Sequence, residues 1–137
     1  MIVADANLWI ALLLDHEKTD VAQAVFAIDP QWHVPLVCLS EIRNAGMAYV
    51  RRSLVSGGYL ADALAIWRHL VSPGMRHDVD DALVIDRAMA SGCTAYDCEY
   101  VVAAQLLEAP LLTWDKQVLK TFPDVAVTPE EFIAARR

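Results

Sequence analysis

Four carboxylates stand apart from the other acids of this chain by where they fall: Asp5, Glu41, Asp97 and Asp115. Asp5 closes the apolar run Ile2-Val3-Ala4, and Asp115 follows Leu111-Leu112-Thr113-Trp114. Glu41 lies one helical turn after Val37 and one before Ala45, among Cys38, Leu39 and Ile42, where little polar face exists for it to share. Asp97 opens a segment whose body, Tyr100 to Leu107, is almost entirely apolar. Each acid has an ordinary role open to it: Asp5, Asp97 and Asp115 as helix caps or first-turn acids, Glu41 as a solvated glutamate. Jointly they allow another chemistry. Bare carboxylates gathered in one pocket repel and raise one another's pKa values, a penalty that a hard divalent cation such as Mg²⁺ or Mn²⁺ removes. The set contains no His or Cys, which suits the oxygen preference of those ions. Asn7 and Thr113, one beside each strand-end acid, add neutral oxygens, although Thr113 is equally an ordinary β-branched strand residue.

Four acids from distant stretches need a framework that returns repeatedly to one place. Short apolar runs predict strands at Ile2 to Ala4, Trp32 to Val34, Leu111 to Trp114 and Val125 to Val127. Helical patterns fall between them: Asn7 to Leu14, Thr19 to Ile28 closed by Asp29-Pro30, and Leu36 to about Leu54, which Gly57-Gly58 breaks. Tyr59 to Val71 is another helix, then a loop at Ser72-Pro73-Gly74, then helices over Asp78 to Ser91, Asp97 to Glu108 and Lys116 to Phe122. Thr128-Pro129-Glu130-Glu131 opens a last helix with Thr at N-cap, Pro at N1 and Glu at N3. Strands alternating with helices predict a three-layer α/β/α fold, its short, mainly parallel sheet of four to five strands covered on both faces. Active sites in such folds gather at the carboxyl ends of strands, where Asp5 and Asp115 fall.

Composition bounds the rest. The 137 residues predict one domain over 1–137, and 56% hydrophobic against 21% charged residues excludes a disordered chain. The apolar stretch Leu8 to Leu14 is far short of the ~20 residues of a membrane span, and no basic region precedes it as in a signal peptide, so a cytoplasmic protein is expected. Cys38, Cys93 and Cys98 form no CxxC pair and are expected as buried hydrophobes. A net charge of −7 argues against a broad basic surface for nucleic acid, yet leaves open an acidic pocket offset by metal.

Together, MIVADANLWIALL, the SEIRNA around Glu41, AYDCEYVVAAQLLEAPLLTWDKQVLK and the closing strand and helix resemble the PIN-domain ribonucleases, in particular the VapC-type toxins of bacterial toxin-antitoxin pairs. The resemblance spans nearly the whole chain and is weakest between Gly57 and Gly92. It rests on order and spacing: an acid after the first strand, an acid in the third helix, YD before a helix and TxD after a strand. The resemblance implies that Asp5, Glu41, Asp97 and Asp115 bind one or two Mg²⁺ or Mn²⁺ ions, with Asn7 and Thr113 supporting them. It implies endoribonuclease action in which metal-activated water attacks phosphorus in line, leaving 5′-phosphate and 3′-hydroxyl ends. An RNA substrate, a cognate antitoxin and a homodimer follow from it as expected partners. Many relatives carry Ser or Thr where this chain has Asn7. Arg43, Arg51, Arg52, Lys116 and Lys120 are the candidate phosphate contacts, each equally a member of a solvated charged face.

Other readings are weaker. His77-Asp78 invites comparison with HD-type phosphohydrolases, but those resemble all-helical bundles, so His77 is expected in a loop and Asp78, Asp80 and Asp81 in a helical first turn. A haloacid-dehalogenase-like reading of Asp5-Ala6-Asn7 needs a second Asp where Asn7 stands. The remaining alternative is a catalytically idle PIN-like module that binds RNA or protein, which would tolerate loss of the acids that are all present here.

Overall fold

The computed structural model describes residues 1–14 and 17–137. In chain order the elements are β1 (Ile2–Ala4), α1 (Ala6–Leu13), α2 (Thr19–Ile28), β2 (Trp32–Pro35), α3 (Cys38–Arg51) and α4 (Gly57–Leu70). A 3-10 turn at Pro73–Met75 leads into β3 (Arg76–His77), followed by α5 (Asp81–Ser91), α6 (Ala95–Leu107), β4 (Leu111–Leu112), α7 (Lys116–Thr121), β5 (Ala126–Val127) and α8 (Pro129–Ala134). The strands form one sheet in the order β3-β2-β1-β4-β5, with every pairing parallel. Ile2, Val3 and Ala4 are all fully buried, as the central strand of a sheet covered on both faces must be.

The architecture is the expected three-layer α/β/α arrangement. Helix α6 lies against β1, β2 and β4 and has α5 packed on it, while α1 packs on α2 and α3, and α2 on α8. Helix α6 earns its central place by sequence: Cys98 and the run from Tyr100 to Ala104 are buried. Trp9 of α1 meets Trp32 of β2 and Trp67 of α4 edge-to-face, with ring centroids 4.7 and 6.1 Å apart, which locks α1 onto the sheet and carries α4 with it. All three cysteines are buried and free, as expected. Among the described residues no helix is long and apolar enough to cross a membrane.

Four local expectations are corrected. Arg76 and His77 form an edge strand, paired with Val34 and Pro35, where a loop is expected. Two polar, half-buried residues carry no apolar alternation, so only the backbone pairing reveals them. Gly57 and Gly58 do not break a helix but begin α4, whose Ser56 cap accepts a hydrogen bond from Tyr59 N; the preceding helix ends at Arg51, before Leu54, and Ser53 beyond it takes a left-handed φ of 58°. Helix α6 starts two residues before Asp97, because Thr94 is its cap, and α5 starts at Asp81 under an Asp80 cap, leaving Asp78 outside.

Candidate active site

The strand order reverses at β1, whose neighbours β2 and β4 lead away in opposite directions, and ligands in open α/β sheets bind beside such a switch, beyond the strand carboxyl ends. Pairing of Val3 with Leu111 and of Ala4 with Leu112 brings the ends of β1 and β4 together there. The next residues out are Asp5 on one side and Thr113 to Asp115 on the other. Asp5 caps α1, its side chain accepting from Ala6 N at 2.6 Å, and Asp115 caps α7, accepting from Val118 N at 3.0 Å. The capping roles open to these acids are therefore real, and they do not exhaust them.

Thr113 joins the two strand ends. It is fully buried, and its single hydroxyl proton goes to Asp5 Oδ2 at 2.6 Å. Its oxygen accepts from Asp115 N at 2.9 Å and from Asn7 Nδ2 at 3.2 Å, which saturates a hydroxyl. With Thr113 unable to donate again, Asn7 must turn its nitrogen toward it. Asn7 Oδ1 is left buried, with no hydrogen-bond partner among the described residues.

Helices supply the other two acids. Glu41, in the first turn of α3, is half-buried and accepts from Tyr100 Oη at 2.7 Å. Asp97 is the third residue of α6, and its backbone N–H donates to Thr94 Oγ1 at 3.0 Å. Tyr100 follows Asp97 by three residues, hence on the same helix face, and lies 1% exposed beneath the acids.

The electrostatics link all four. Burial pushes Asp5 from 3.8 up to about 7; the Thr113 hydrogen bond opposes the rise, and the charges of Glu41 and Asp97 add to it. Glu41 is raised by burial and by Asp97, against its Tyr100 hydrogen bond. Asp97 is raised by burial and by Asp115. Burial also raises Tyr100 well above its ordinary value, so it remains a hydroxyl donor to Glu41. Sequence reasoning missed Tyr100, whose i+3 spacing from Asp97 was the available signal. It missed Glu99 as well, raised by burial and then by Glu41, Asp78 and Asp81, which extends the acidic field toward the start of α5.

The acids share a field without closing into a cage: among the described residues no three His, Cys, Asp or Glu groups converge as ligands of one ion. Mg²⁺ prefers oxygen ligands, keeps several waters and takes one or two carboxylates together with substrate phosphate. The all-oxygen donor set, the mutual repulsion and the orphaned Asn7 Oδ1 fit the same kind of ion.

The cations are arranged less closely. Arg43, Arg51, Arg52, Lys116 and Lys120 are all exposed. Arg43 follows Glu41 by two residues, about 200° around α3, and so leaves the acid's face; Arg51 and Arg52 lie about 15 Å further along the axis. Lys116 directly follows Asp115 in sequence and opens α7. His77 pairs not with Asp78 but with His33, Nε2 to Nδ1 at 2.8 Å across β2 and β3, away from the strand-end acids.

No protein-family model matches the chain. It is 26% identical over 132 residues to Ribonuclease VapC3 of Pyrobaculum aerophilum, spanning 93% of this chain and 98% of that protein. A crystallised Pyrobaculum aerophilum protein shares its fold with a TM-score of 0.76 at 19% identity, over 98% of this chain and 97% of that one. A toxin-antitoxin complex from Klebsiella pneumoniae gives a TM-score of 0.67 at 18% identity, over 94% and 98% of the two chains. The resemblance read from the sequence thus recurs in a curated VapC relative, and the fold recurs in both solved structures.

Two measurements check this site. Because native Asp5 keeps a proton that the unfolded chain releases above its ordinary 3.8, stability of chelator-treated protein falls as pH rises from about 4 to about 7, and Asp5→Asn flattens that slope in urea titrations run across the range. Tyr100→Phe removes the hydroxyl that donates to Glu41 and also meets the buried Cys38 thiol, and costs about 1–3 kcal/mol in the same unfolding assay at neutral pH.

Proposed function

We propose that this chain, similar to VapC-type ribonucleases along nearly its whole length, is a divalent-metal-dependent endoribonuclease and the toxin of a toxin-antitoxin pair. One observation carries the reading: around the switch point of a parallel sheet, the charges of Glu41 and Asp97 raise the pKa of Asp5, that of Asp97 raises Glu41, and that of Asp115 raises Asp97, although the four acids are spread over the whole sequence. A fold that only needed caps would have no reason to bury Asp5 among like charges.

In this reading Asp5, Glu41, Asp97 and Asp115 hold one or two Mg²⁺ or Mn²⁺ ions, with Asn7 Oδ1 beside them. The bound ion supplies an activated water and neutralises charge for phosphodiester hydrolysis. The chain's own part is positional. Thr113 fixes Asp5 and the backbone of Asp115 through one hydroxyl, and Tyr100 orients Glu41. Lys116 meets the phosphate from the start of α7. The antitoxin and the homodimer implied by the resemblance, and a cytoplasmic site of action, belong to the same proposal.

Two experiments test it. Purified protein cleaves RNA when Mn²⁺ or Mg²⁺ is supplied and stops on chelation, while Asp5→Asn and Asp97→Asn each lower the rate about a hundredfold or more; equal RNA loss in all samples would assign the cleavage to a contaminant and leave an idle binding module. Expression of the chain alone slows bacterial growth and Asp5→Ala relieves it, read as growth rate at matched protein level. Unaffected growth would remove the toxin role and leave the nuclease.

A further inference from the structure

Two of the four acids are preceded directly by an aromatic residue: Tyr96 before Asp97 and Trp114 before Asp115. Each aromatic lines a cleft against the helix that carries Glu41. Tyr96, 60% exposed, faces Val37, Ser40, Glu41 and Asn44 across a space of about 320 Å³. Trp114, half-buried, lines a second space of about 440 Å³ with Asn7, Ala45, Ala48 and Tyr49. Helix α3 is therefore a common wall for both; Glu41 itself lines the first cleft, and Asn7, linked to Asp5 through the Thr113 hydroxyl, lines the second. Lys18, which also lines this cleft, stands over one face of the Trp114 ring at 4.6 Å, and Trp114 Nε1 donates to Glu130, so the ring is held in place and a base stacks on its opposite face or takes the place of Lys18.

Charge gives the clefts their use. With a net charge of −7 and exposed cations dispersed along α3 and α7, phosphate contacts alone are a poor source of affinity for a polyanion. Stacking of bases on aromatic rings carries no such electrostatic demand and accepts any base. We infer that the Tyr96 and Trp114 clefts are nucleobase subsites that receive the bases on either side of the scissile phosphate, so that an RNA strand crosses α3 with its backbone over the acids. Both bases must be unstacked to enter, and the subsites therefore select unpaired segments over duplex. This rests on the ribonuclease reading above and adds to it the residues that grip the strand.

The test uses the full chain in EDTA, where nothing is cleaved, and a labelled, unstructured oligoribonucleotide followed by fluorescence anisotropy. Tyr96→Ala and Trp114→Ala each weaken binding about five- to a hundredfold, whereas Tyr96→Phe and Trp114→Phe, which keep a ring, stay within about threefold of wild type. The oligoribonucleotide also quenches the fluorescence of Trp114, the other tryptophans, Trp9, Trp32 and Trp67, being at most 1% exposed. Mn²⁺ titration monitored by electron paramagnetic resonance gives the same affinity for the alanine variants as for wild type, because neither ring supplies a ligand. If both alanine variants bind RNA as wild type does, or lose duplex and single-strand binding equally, the subsites are overturned while Mn²⁺-dependent cleavage by wild type leaves the ribonuclease reading standing. If wild type neither binds the oligoribonucleotide nor cleaves RNA with Mn²⁺, the ribonuclease reading fails and the subsites fail with it.

Discussion

Asp5 imposes the hardest condition on this molecule, because its carboxylate is partly buried, desolvation raises its pKa, and the charges of Glu41 and Asp97 raise it further. Burial of an ionised acid is costly unless hydrogen bonds or an opposite charge compensate it. The fold provides two hydrogen bonds, from Ala6 N and Thr113 Oγ1, and no cation in contact among the described residues. The rest of the site follows from that imbalance. Thr113 is buried to serve Asp5, its saturated hydroxyl sets the orientation of Asn7, and Asn7 Oδ1 is left without a partner as a result. A chain that keeps such an arrangement retains a place where positive charge is favoured.

The scaffold makes that place rigid by economical means. The central strand has three residues and its neighbour β4 has two, so the ends of the ladder are reached almost at once and the chain turns straight into helices. Asp5 and Asp115 cap those helices, and capping fixes the backbone on which each carboxylate is mounted. Glu41 has no such anchor. Its position depends on Tyr100, which reaches from the face of α6 that also presents Asp97. One pair of acids is thus held by backbone geometry and the other by helix packing, and a hydroxyl ties the members of each pair to their surroundings.

In the proposed reading, the aromatic residues beside Asp97 and Asp115 let base recognition and chemistry share an element without competing for it. In each dipeptide the ring lines a cleft against α3, while the acid beside it lines neither cleft. Helix α3 tolerates both clefts because small residues, Ser40, Ala45 and Ala48, face them. Larger side chains there would close the space that a planar group needs.

Much was legible in the sequence. Uninterrupted apolar runs ending in Asp mark β1 and, less sharply, β4, since a strand buried on both faces leaves little choice of residue and the acid must wait for its end. The last helix was readable from its capping box alone, because Thr128 and Glu131 satisfy local backbone groups. The edge strand Arg76–His77 was not, because a two-residue, half-buried edge makes no hydrophobic pattern and exists only through its partner. Nor was the true start of α6, where Thr94 outcompetes Asp97 for the cap. Residue types and spacing determined which acids were worth watching and that their companions would be oxygen donors. Only the tertiary structure decided that Asp5 would be partly buried beside other acids, that Tyr100 would hold Glu41 and that Thr113 would bridge two strands, because desolvation and hydrogen bonding between residues 59 or 108 positions apart depend on distances through space that no local pattern encodes.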